Sequence, residues 1–164
     1  MAKVKEVNQL TLDMRIRSSG LFFTIMVFSV SIAFGQNANH YNIKKKVAMG
    51  GYDAVSYFNN KPEQGSTEYS VTHEGVTYSF ASPTNKSKFE KSPSSYIPQY
   101  GGWCAYAMGA NGDKVKVDPE TYKIVSGKLY LFYNFYFTNT LDSWNEDEAG
   151  LKNTADNNWS KIIN

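Results

Sequence analysis

A single cysteine, Cys104, stands in 164 residues. No internal disulfide can brace the fold, so its stability must come from a packed core. Histidine is almost as scarce, with only His40 and His73. A closed structural zinc site takes four Cys or His ligands in two close pairs. Cys104, His40 and His73 fall short of that number and share no short spacing. A mixed site using Asp53, Glu74 or Asp118 stays open, although nothing in the spacing points to one. Arginine occurs only at Arg15 and Arg17. A nucleic-acid partner asks for a clustered basic face, usually with arginine to grip phosphate. Lys44-Lys45-Lys46 is the one basic run, so no nucleic acid is expected as a partner. GxSxG, HExxH and phosphate-cradling glycine loops are also missing.

What is present begins with "MRIRSSGLFFTIMVFSVSIAFGQ" at 14–36. Two arginines precede an apolar run from Leu21 to Phe34, and small residues at Ala33 and Gly35 precede Gln36. This order reads as a secretory signal peptide over residues 1–35, with Met14 as a plausible true start. The run is shorter than the ~20 residues of a spanning helix, so no stable membrane span is expected once the signal is removed. The expected location is outside the cytoplasm, periplasmic or extracellular. Of 17 basic and 15 acidic residues, four (Lys3, Lys5, Arg15, Arg17) and two (Glu6, Asp13) lie in the first 35. Thirteen of each remain, leaving a nearly neutral chain.

Residues 36–46, "QNANHYNIKKK", are polar and aperiodic, and read as a flexible leader before a domain over 47–164. "VAMGGYDAVSYF" (47–58) suggests a first strand or extended turn. In "EYSVTHEGVTYSF" (68–80), apolar and polar residues alternate on either side of a Glu74-Gly75 turn, which specifies a β-hairpin. Ser82 can cap a helix and Pro83 suits its first position, so a short helix carrying Phe89 inward runs on towards Pro93. Pro93, Pro98, Gly101 and Gly102 make 93–102 a structured loop. "TYKIVSGKLYLFYN" (121–134) gives a second hairpin around Ser126-Gly127. Phe137, Leu141 and Trp144, then Leu151, Ala155, Trp159 and Ile162 or Ile163, recur at helical spacing. The expected fold is a small single α+β domain with two β-hairpins, a short helix after the first hairpin and C-terminal helices.

Candidate chemistry gathers at "QYGGWCAYA" (99–107). Cys104 can be a packed apolar side chain, a nucleophile or a ligand donor. A nucleophile needs a base, and His73 is the one histidine of the folded part. His73, beside the first hairpin turn, also reads as an exposed turn residue. Tyrosines flank the glycine-rich segments, where they can build core, line a pocket or do both.

"GYDAVSYF" (51–58), "EGVTYSFASPTNKSKFEKSPSSYIPQYGGWCAYA" (74–107), "DPETYKIVSGKLYLFYN" (118–134) and "ADNNW" (155–159) together resemble the exported family of YHS-domain proteins. The resemblance covers nearly all of the chain after the signal. The wider family, related to TRASH domains, is associated with metal sensing and handling. There, two cysteines separated by three residues sit at a strand-to-helix junction. Here Ala81 and Asn85 stand at those places, so that ligand pair is not carried over. Cys104 aligns with the cysteine of the exported branch, and Trp103 stands where tyrosine is more usual.

The expectation is therefore a non-enzymatic exported domain that binds a metal ion or small ligand through the 96–107 loop. Tyr100, Trp103, Cys104 and Tyr106 form its ligand site, and Cys104 and His73 are the metal donors. A transition metal, copper or zinc, is the cofactor class implied. Two alternatives stand beside it. One is a thiol-dependent redox enzyme centred on Cys104, and the other is a structural or interaction module that has lost metal binding.

Overall fold

The computed structural model describes residues 37–164. The expected signal segment lies outside them. Ile43–Lys44 (β1) and Val47–Ala48 (β2) are short strands, followed by two tight helical turns at Met49–Gly51 and Ser56–Asn59. Ser66–His73 (β3) and Val76–Phe80 (β4) form the first hairpin. Pro83–Lys91 (α1) and Ala105–Ala110 (α2) flank the 93–102 loop. Asp118–Val125 (β5) and Lys128–Phe132 (β6) form the second hairpin, and Asn134–Phe135 (β7) and Thr138–Asn139 (β8) a third and smaller one. Thr140–Glu146 (α3) and Glu148–Ile163 (α4) close the chain.

The two large hairpins form where alternation and turn chemistry agree. Glu74-Gly75 and Ser126-Gly127 all have positive φ, as a two-residue turn between twisted strands requires. The β3–β4 pair extends into a four-stranded sheet ordered β1-β2-β4-β3, in which β2 runs parallel to β4. Ser82 Oγ accepts from Asn85 N at 3.1 Å and caps α1. Asn139 and Asp147 cap α3 and α4 in the same way, through Leu141 N and Gly150 N.

Strand β6 divides the interior. Leu129 and Leu131 face a core built on Tyr57, Tyr78, Phe80 and Phe89. Tyr130 and Phe132, pointing the other way, join Tyr100, Met108, Trp144 and Ala155. A strand buried on both faces reads as an unbroken apolar run, as "LYLF" does. Helices α2 and α4 approach closely because residue 109 is glycine: a Cβ there would lie 2.6 Å from Leu151 O. This is the α+β domain that the sequence implies, with its β-hairpins and C-terminal helices.

Two local readings differ from the structure. Residues 37–46, expected as a loose leader, are docked: β1 pairs with β2, and Asn42 N donates to Gly101 O at 2.8 Å. Residues 47–58, read as a first strand or extended turn, hold the two-residue β2 and then turns. Phe137, placed by its spacing on the buried face of a helix, stands fully in solvent in the β7–β8 turn. Tyr136 and Phe137 both adopt positive φ, at 51° and 66°, which no α-helix accommodates, and α3 begins only at Thr140.

Candidate functional site

Cys104 is fully buried. Its backbone bridges to Leu131 and donates to Val115 O, which carries the side chain inward. Sγ lies 3.4 Å from Thr140 Oγ1 and accepts a contact from Tyr133 N at 3.4 Å. His73 is at the end of β3, with Nε2 3.9 Å from Glu74 Oε1 and its ring edge-on to Phe89. Cys104 and His73 share no partner. Among the described residues, no group of three or more His, Cys, Asp or Glu side chains comes together to hold a metal. The expected donor pair is therefore not assembled: one member is enclosed between β6 and α3, and the other caps a hairpin. Among the described residues, the hydrogen-bond partners of Sγ are Thr140 Oγ1 and Tyr133 N, neither of them the base that a nucleophilic thiol uses.

At the junction where the resemblance would place two cysteines, the structure has a buried acid. Asp53 is fully buried. Oδ1 accepts from Val55 N at 2.8 Å and Ser56 N at 3.3 Å. Oδ2 accepts from Ala81 N at 2.9 Å and Asn85 Nδ2 at 2.7 Å. Four N–H donors satisfy the carboxylate, as a buried acid demands. Asp53 thereby ties the 53–56 turn to the start of α1 and has no lone pair standing free for a metal.

The remaining expected residues separate. Trp103 Nε1 donates to His40 O at 2.7 Å, holding the N-terminal segment down. Tyr106 packs against the α3–α4 core. Tyr100 lines an open groove of about 290 Å³ between residues 97–101 and the last turns of α4. Tyr41, Ile97, Pro98, Trp159 and Ile163 supply its apolar walls, and Gln99, Asp156 and Ser160 its polar positions. The Tyr100 hydroxyl donates to Asp156 Oδ1 at 2.8 Å, and Lys152 Nζ reaches Asp156 Oδ2 at 2.6 Å. Burial first, and this hydrogen bond second, hold the Tyr100 phenol well above its ordinary pKa, so it remains a donor.

The two glycines of "QYGGWCAYA" explain how the groove is built. Tyr100, Gly101 and Gly102 all have positive φ, at 54°, 62° and 80°. A Cβ on residue 101 would meet His40 O at 2.8 Å and Trp159 Cη2 at 2.9 Å. Glycine is what lets the N-terminal segment and α4 converge on this loop. The sequence left out Tyr41, Gln99, Asp156 and Trp159 as site residues. The one available signal was the neighbouring pair Ile162-Ile163, of which a single helix face can bury only one. Ile162 packs inward, while Ile163 is exposed at the groove.

Comparison with family models, with curated proteins and with solved structures finds no match.

Proposed function

We propose that this chain is an exported, non-enzymatic binding domain of the YHS type. Its ligand site is the groove between residues 97–101 and α4, and Cys104 is part of the core. The ligand is small, with an aromatic or aliphatic body and one hydrogen-bonding end. The observation that carries this reading is the convergence of three distant segments on one concave surface, around a residue in strained backbone. Tyr100 is a non-glycine residue with φ 54° and ψ 36°. Such outliers persist where surrounding structure holds them, and they cluster at binding sites. The volume lies at the small end of ligand pockets, which suits one ring or two fused rings. The small-ligand half of the expectation is thus the better supported. The metal half has an enclosed thiol and no second donor beside it.

Benzyl alcohol and benzylamine are suitable probes, titrated while tryptophan emission is followed. A saturable change with a dissociation constant on the order of millimolar is expected for so small a ligand. It should disappear in Ile163→Lys, which fills the open side, and in Trp159→Phe, which removes the reporter. Tighter binding of the amine would show that Asp156 accepts a cation despite Lys152. A linear response, equal in all three proteins, would dismiss the groove.

A further inference from the structure

The β7–β8 hairpin is six residues long and ends in two aromatic side chains. Its register pairs Asn134 with Asn139 and Phe135 with Thr138, so Tyr136 and Phe137 form the two-residue turn. Positive φ at both positions makes this the turn that ordinarily takes Asn-Gly. Tyr136 is 84% exposed and Phe137 111% exposed, so neither ring finds a neighbour to pack on. Two large apolar rings therefore occupy strained positions where they gain nothing from the fold. An outlier of this kind points outward, to something the rings contact.

In the segment before β5, Val115 and Val117 are half-buried while Lys114 and Lys116 are exposed. Lys116 Nζ lies 4.8 Å from the centre of the Phe135 ring. Tyr133 packs edge-on with the same ring, with centroids 5.1 Å apart. Among the described residues, neither Lys114 nor Lys116 has an ion-pair partner. Of the acids on neighbouring segments, Asp113 accepts from Asn111 Nδ2 at 2.6 Å, Asp118 accepts from Thr121 Oγ1 at 2.8 Å, and Asp142 lies in α3.

We propose that this hairpin tip is an interfacial anchor that rests on an anionic lipid surface. The Phe137 ring would enter the acyl boundary, the Tyr136 hydroxyl would stay at headgroup level, and Lys114 and Lys116 would meet the lipid phosphates. Aromatic rings combined with exposed lysines are the chemistry that partitions into this layer. Area argues against a protein partner of ordinary size. Two aromatic side chains bury roughly 400 Å² together, about half of what each side of a stable protein interface contributes. A bilayer needs no further matching surface. The contact is peripheral, since no described helix is long and apolar enough to cross a membrane.

The test uses the full chain with vesicles of phosphatidylcholine, alone or mixed with phosphatidylglycerol. Phe137→Trp places an indole at the tip, and nitroxide-labelled lipids report its depth whatever other segments do. The expected result is quenching of that indole on the anionic vesicles, weakened by added salt and by Lys114→Ser with Lys116→Ser. Tyr136→Asn with Phe137→Gly removes both rings and suits the turn. That variant should melt no lower than the parent protein yet partition at least about tenfold less. An unquenched indole on vesicle-bound protein, or equal partitioning of the ring-free variant, would overturn the proposal. So would self-association that depends on the tip and not on lipid, since the rings would then meet another protein.

Discussion

Asn85 Nδ2 donates to Asp53 Oδ2 at 2.7 Å, and both side chains are buried. The pair sits at the junction of β4 and α1 and fills it with a closed hydrogen-bond set. Asn85→Ala leaves Oδ2 with Ala81 N as its one remaining partner, and should cost about 1–3 kcal/mol in urea unfolding. Asp53→Asn should cost more, because its amide NH2 must face at least one buried N–H. Changes under about 0.5 kcal/mol in both would mean that the network does not organise this junction.

Cys104 should behave as core. Its thiol should react with a disulfide reagent at least about 10³-fold more slowly in native protein than in denaturing urea, because access requires opening of the fold. Reagent uptake measured against urea concentration should follow the unfolding curve. Fast native labelling would return the thiol-dependent alternative to contention.

Gly101→Ala puts a methyl group 2.8 Å from His40 O and 2.9 Å from Trp159 Cη2, at a φ of 62°. The strain and the clash act together, and a loss of about 2 kcal/mol is expected. The N-terminal segment or the end of α4 must then move away, so amide exchange should quicken at Asn42, whose N–H donates to Gly101 O. Unchanged stability and exchange would show that the close approach is not needed.

Burial, before any other cause, raises the pKa of Tyr57, Tyr78 and Tyr100 far above the ordinary phenol value of 10.0. Their folded-state values lie above those of the unfolded chain. The stability they contribute is therefore complete below pH 10 and declines as pH rises beyond it. In an alkaline titration these three of the 12 tyrosines should ionise only as circular dichroism reports unfolding. Ionisation of every tyrosine near pH 10 with the fold intact would contradict that burial.

The parts of the fold legible in the sequence were those written locally. Glu74-Gly75, Ser126-Gly127 and the Ser82-Pro83 start each combine a turn or cap residue with adjacent periodicity, and the structure keeps all three. Helix α2, "AYAMGA", escaped notice because six small and apolar residues carry no period and Cys104 gives its start no side-chain cap. Phe137 misled because a spacing of four to Leu141 suits a helix, while an aromatic pair hides a turn usually marked by Asn-Gly. Asp53 could not be read as a junction, since half its donors come from residues 81 and 85. The groove was invisible for the same reason: Tyr41, Tyr100 and Trp159 meet only in three dimensions. "QYGGWCAYA" borders the groove proposed as the ligand site. Its glycines and Tyr100 build the groove, while its cysteine faces the core.

The most direct test of the binding account is an amide chemical-shift titration with benzyl alcohol. Gln99, Gly101, Trp159 and Ser160 should move along one shared isotherm, while Thr72 and Gly75 in the first hairpin stay still. Shifts centred instead on Cys104, Tyr133 and Thr140, or scattered without a common isotherm, would contradict it.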